Sequence, residues 1–189
     1  MSDHATLAAR FLDVIEHDVV PLTRQGVAAG NKIFGAALVL KSDLSLVLAE
    51  TNNELENPLW HGEMHLLKRF YELKKRPDPK DLYFVSTHEP CSLCMSAITW
   101  AGFDNFWYFF SHEDSRDAFS IPHDLKIMKE VFKLEPGGYA RKNMFWQACS
   151  IRENAGKEHA GKIAGLLKAY EALSADYQAG ISENAIPLF

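Results

Sequence analysis

Two short runs of strand-forming residues, LYFVST at 82–87 and NFWYFF at 105–110, bracket one helical stretch, CSLCMSAITWA. Runs that are apolar at successive rather than alternate positions suit strands buried on both faces, as in a parallel sheet. A helix between two such strands has the rhythm of a βαβ unit, which argues for an α/β layered fold. Upstream, residues 4–18 keep the helical spacing of Leu7, Phe11, Val14 and Ile15. FGAALVLK and LSLVLAE read as a hairpin joined by the polar turn Ser42-Asp43, without the glycine that two-residue turns favour. Asn57-Pro58 reads as a helix start, with Leu66, Leu67 and Phe70 on the buried side and an end before Pro77. HDLKIMKEVF predicts a further helix, and Ile163, Leu166, Leu167, Tyr170 and Leu173 mark a last one.

The chain of 189 residues is long enough to bury a sizeable core, and a single domain is expected over 1–189. Its body spans about 4–150, followed by a C-terminal helical extension at 151–189. Apolar residues make up 47% and charged residues 24%, an ordinary globular balance. The formal charge is −5 and no block of Lys and Arg occurs, so a nucleic-acid partner is disfavoured and a small-molecule substrate preferred. No apolar run approaches the ~18 residues of a membrane span, and the acidic, interrupted N-terminus does not read as a signal peptide. A cytoplasmic location is expected by default. Three cysteines, Cys91, Cys94 and Cys149, make no disulfide framework; a close pair in a reducing compartment points to metal or redox chemistry.

WHGEMHLL at 60–67 crowds His61, Glu63 and His65 into an apolar stretch. EPCSLC at 89–94 supplies what that cluster lacks. Cys91 and Cys94 have the spacing with which two thiolates grip one metal, and they sit where a strand passes into a helix whose N-terminus favours thiolate. With His61 they form three ligands of the kind zinc takes, leaving a fourth position open for water. His-x-Glu followed by Pro-Cys-x-x-Cys is the known signature of zinc deaminases, in which the non-ligand glutamate moves protons. Glu63 is that candidate catalytic residue. The rival reading adds His65, one helical turn from His61, to make a closed Cys₂His₂ structural site without catalysis. On an ideal helix His61 and Glu63 point apart, so the catalytic reading needs a site lying near the helix start.

Residues 34 to about 114 resemble the cytidine/nucleobase deaminase superfamily. The likeness is strongest to its branch of guanine deaminases, tRNA adenosine deaminases and yeast-type cytosine deaminase. FGAALV, TNN, NPLWHGE, STHEPCSLCMSAITWAG and SHED carry it. The resemblance implies a three-layer α/β/α domain around a mixed five-stranded sheet, usually a dimer. It also implies one zinc per chain on His61, Cys91 and Cys94, with Glu63 as proton shuttle. Softer positions follow for the substrate: Phe34 packing on the base, Asn52 or Asn53 hydrogen-bonding it, and Trp100 and Asp114 contacting a purine. For Trp100 a core position is the alternative, for Asp114 a helix cap, for Asn53 a turn; His88 and His112 read as structural. Ile33 replaces the family's usual proline and Gly62 its usual alanine, and Trp60 stands beside the metal ligand as a wall of the pocket. The expected activity is that of a hydrolase acting on C–N bonds of cyclic amidines. The substrate class is a purine or pyrimidine base or nucleoside: a guanine-type base comes first, then a cytosine or cytidine-type one, and a tRNA adenosine third.

Overall fold

The computed structural model describes residues 3–119, 123–135, 138–180 and 186. Five strands form one mixed sheet in the order β2-β1-β3-β4-β5, with β1 Gly35–Leu40, β2 Leu46–Thr51, β3 Leu82–His88, β4 Asn105–Phe110 and β5 Gln147–Ser150. β1 runs antiparallel to both β2 and β3, whereas β3, β4 and β5 are parallel. The βαβ reading of 82–110 is therefore met by β3, α4 (Ser92–Trp100) and β4.

Alternation along the strands splits the core into two. Ala37, Val39, Val85, Trp107 and Phe109 face α1 (His4–Val14), α2 (Val20–Ala28) and α8 (Ala160–Gly180). Ala36, Leu38, Phe84, Phe106 and Tyr108 face α3 (Gly62–Glu72) and α4. The result is the expected α/β/α sandwich. Leu166, Tyr170, Leu173 and Tyr177 of α8 are buried in the first core, so this C-terminal helix packs with α1 and α2. Among the described residues no helix is long and apolar enough to cross a membrane.

Three local expectations need correction. The first helix does not stop at residue 18: a π-helical turn, Ile15–Val19, leads directly into α2. Val20 donates to Ile15 across the widened turn, and Pro21 falls in the first turn of α2, where its missing N–H costs nothing. The β1–β2 turn is longer than Ser42-Asp43. Lacking glycine, the chain uses residues 41–45, with Leu44 in the left-handed region at φ 61° and Asp43 accepting from the Ser45 N–H and hydroxyl. Asn57 caps no helix either. Its side chain accepts from the Leu59 N–H in a local turn, and α3 begins only at Gly62. Gly137, half of a Gly-Gly turn signal, lies outside the described residues.

The start of α3 is pressed onto β1. A Cβ at Gly62 would come within 2.8 Å of the Gly35 Cα and 3.0 Å of the Phe34 carbonyl oxygen, both backbone atoms that cannot swing aside. The alanine usual in the family does not fit here. Gly62→Ala should lower unfolding free energy by roughly 1–3 kcal/mol, the range for overpacking. Urea denaturation checks this, and an unchanged midpoint would show that the two backbones are not in contact.

Candidate active site

Two chain segments converge at the carboxyl end of the parallel strands, where α/β sheets place their ligands. β3 ends at His88; Glu89 and Pro90 follow, and Cys91 is the N-cap of α4 with Cys94 in its first turn. His61 is the N-cap of α3, in extended conformation at φ −57° and ψ 159°. Because His61 lies outside the helix, its ring is not tied to the helical rotation that carries Glu63. That removes the geometric objection raised by their two-residue spacing.

The His61 Nδ1 lies 3.6 Å from the Cys91 Sγ and 3.7 Å from the Cys94 Sγ, and the three ligand atoms all sit within 4.8 Å of one another. A tetrahedral zinc bound to one nitrogen and two sulfurs spaces nitrogen and sulfur about 3.5 Å apart, given the usual bond lengths. The donor set and its spacing thus fit zinc. His65 does not join it. Its Nδ1 lies 2.9 Å from the Thr51 carbonyl oxygen and 3.4 Å from a Glu50 carboxylate oxygen, both on β2. The closed Cys₂His₂ reading fails on this orientation.

Glu63 is 4% exposed and borders the thiolate pair, its Oε2 3.4 Å from the Cys94 Sγ. Burial pushes its carboxyl above the usual range, against the pull of hydrogen bonds and of His61. The Ser86 hydroxyl lies 2.8 Å from Glu63 Oε1 and 2.6 Å from the His88 carbonyl oxygen. The Ser86 hydroxyl is thus shared between a carboxylate and a carbonyl acceptor.

Phe34, His61, Glu63, His88, Cys91 and Cys94 line one pocket. Leu125 on α6 (His123–Phe132) forms part of its wall, and the cavity measures about 10 Å³. That is room for about one water. Of the substrate positions expected from the sequence, Phe34 alone is in the pocket, edge-on to the His88 ring at 4.6 Å between centroids. Asn52 is buried beneath it, accepting the Gly62 N–H at 2.5 Å and donating to Glu54 at 2.8 Å. Asn53 pairs with Glu56 in the turn. Trp100 is neither core nor pocket: it is 91% exposed at the end of α4 opposite the cysteines.

Asp114 is the cap residue of the bland alternative. It closes a capping box with Ser111 on α5 (His112–Asp117), and its Oδ2 takes the Arg152 guanidinium at 2.8 Å. Trp60 is no pocket wall; the Lys68 ammonium lies over its ring.

Sequence reasoning missed Glu89, which is buried beside the site and holds the Tyr139 hydroxyl, the His112 N–H at 2.9 Å and Arg141 at 3.4 Å. Its neighbour His88 lines the pocket rather than merely flanking it. Nothing in EPC or SHED signals these contacts, because they depend on a loop that returns some fifty residues later at Tyr139.

Residues 16–110 match the model of the cytidine and deoxycytidylate deaminase zinc-binding region. The chain belongs to this deaminase family. The guanine deaminase of Bacillus subtilis (strain 168) is 29% identical over 118 residues, which cover 60% of this chain and 72% of that protein. The fold is shared with solved guanine deaminases. That of Nitrosomonas europaea has a TM-score of 0.53 at 20% identity, over 87% of this chain and 84% of the other. That of B. subtilis gives 0.50 at 22%, over 82% and 93%. The matched zinc-binding region contains His61, Cys91 and Cys94, which are grouped so that they could hold a metal ion.

His88 carries a pH signature. Burial among Phe34, Phe110, Phe119 and Tyr170 drops its imidazole from 6.5 to about 3. The folded protein keeps His88 neutral, whereas the unfolded chain takes the proton near 6.5, so unfolding binds a proton between those limits. Stability is full above about 6.5 and falls as pH drops, by up to about 1.4 kcal/mol per pH unit from this group. Urea titrations of chelator-treated protein between pH 7 and pH 4 measure it. His88→Phe should flatten the slope, and an equally steep slope in the variant would assign the acid sensitivity elsewhere.

Proposed function

We propose that the chain is a zinc-dependent hydrolytic deaminase of a free nucleobase or small aminated heterocycle, with a guanine-type base the first candidate. The observation that carries the chemistry is the placement of Glu63 against a His-Cys-Cys set spaced as tetrahedral zinc requires. When bound there by His61, Cys91 and Cys94, zinc supplies Lewis acidity that lowers the pKa of a coordinated water to about 7. Glu63 takes a proton from the water that attacks the amine-bearing ring carbon. It passes protons to the ring nitrogen and then to the departing amine. The carbon keeps the oxygen, and ammonia leaves. Phe34 offers an edge for the ring to pack on.

The relationship to the B. subtilis guanine deaminase supports the purine choice. The cytidine and deoxycytidylate description of the matching family model keeps a cytosine or cytidine-type base as the second reading. A tRNA substrate ranks third, since a chain of charge −5 offers no basic track for the backbone. A homodimer is the expected assembly: α4 and α6 touch, and they leave Trp100, Val131 and Phe132 exposed on their outer faces. Light scattering that returns a monomer mass removes that assignment.

Ammonia release from guanine, cytosine, cytidine and adenosine, assayed side by side, tests the substrate. Turnover of guanine with none of cytosine is the expected pattern, and the reverse overturns the purine choice. Cys91→Ala and Cys94→Ala should lose zinc, while His65→Ala should keep it. Glu63→Ala should retain zinc and fold but lose at least ~10²–10⁴-fold in kcat. Activity within about tenfold of wild type would remove Glu63 from the proton transfers.

A further inference from the structure

The proton chemistry described above makes no use of a buried charge pair beneath the site. Lys32 is 6% and Glu54 3% exposed, and the Lys32 Nζ meets Glu54 Oε1 at 2.9 Å. A pair this dry contributes little net stability, because removing both charges from water offsets their attraction. Its placement is more informative. Glu54 Oε2 accepts from the Asn52 amide at 2.8 Å and from the Lys32 backbone N–H at 3.4 Å. Asn52 in turn holds the N–H of Gly62, the residue after His61. The carboxylate is thus fixed by three donors, and its Oε1 lies 3.8 Å from the His61 Nε2. That nitrogen is on the far edge of the ring from the Nδ1 that faces the two sulfurs.

We propose that Glu54, held by Lys32 and Asn52, is a positioning residue for the metal centre. It keeps the His61 proton on Nε2, so that Nδ1 presents its lone pair to zinc. A ligating histidine commonly donates its other N–H to a carboxylate, which sets both tautomer and ring orientation. The 3.8 Å separation exceeds a hydrogen bond by about 1 Å, so this role requires the His61 ring to turn toward Glu54 when the metal binds. Lys32 keeps the carboxylate in place in a site that would otherwise hold an uncompensated charge. The sequence offers no hint of this: Glu54 and Glu56 look alike in TNNELEN, and Lys32 stands alone before IFGA.

The inference rests on the zinc assignment above and is tested by metal affinity rather than turnover. Zinc is titrated into the purified full chain against a chromophoric chelator. Glu54→Gln, which keeps the side chain's shape, should bind zinc ~10–100-fold more weakly. Lys32→Met strands the buried carboxylate and should lower Tm. The double variant Lys32→Met/Glu54→Gln removes both charges and should regain the Tm but not the zinc affinity. If the double variant binds zinc within about threefold of wild type, the pair is structural only and the proposal falls. A second measurement avoids variants altogether. Long-range ¹H–¹⁵N spectra of the zinc-loaded wild type should show the His61 proton on Nε2, and a proton on Nδ1 overturns the proposal. Wild type that binds no zinc at all would overturn the metal assignment itself.

Discussion

The backbone of Gly62 rests on the backbone of Gly35, and the geometry of the site depends on that contact. A side chain at Gly62 would lift α3 off β1, and one at Gly35 would meet the Val19 side chain on the other face of the sheet at 2.5 Å. With both absent, the helix start drops to the level of the sheet. His61, one residue before the helix, then faces the two cysteines at the start of α4, and Glu63, one residue inside it, turns beneath them. Two helix N-termini consequently look at the same point from different directions. Their unsatisfied N–H groups give that point a positive character that suits thiolates and a carboxylate. Asn52 spends its side-chain oxygen on one of those N–H groups, which ties the preceding loop to the same junction.

The parts of this arrangement that were legible in the sequence are those fixed by local chemistry. The buried strands at 82–88 and 105–110 announced themselves because a strand with helices on both faces has no polar side to alternate with. The metal set was legible because His, Cys and Cys are rare outside such sites and stood at helix boundaries. The misreadings have a common cause as well. Asn57-Pro58 carries a helix-start signature, yet the same asparagine can cap a turn of its own, and only packing on β1 decides where α3 begins. The first helix, read as 4–18, runs on because a wider π turn carries it into α2.

Substrate positions were the least legible, and the reason is physical. Asp114, Asn52 and Trp100 were chosen by correspondence with relatives, but a carboxylate or amide serves whichever donor reaches it first. Here Ser111 and Arg152 reach Asp114, and Gly62 and Glu54 reach Asn52. The residues that do crowd the pocket, His88 and Glu89, sit directly before the Pro-Cys-x-x-Cys run. Their contacts come from Phe119, Tyr139 and Tyr170, far downstream, where the resemblance to the family has already faded.

That last contact has a wider meaning. Tyr170 of α8 is buried against the His88 ring, and His88 is a wall of the pocket. The C-terminal helix is thus an outer buttress of that pocket. A lineage altering this helix can retune the chamber by leaning on its wall from behind, leaving ligands and proton carrier untouched.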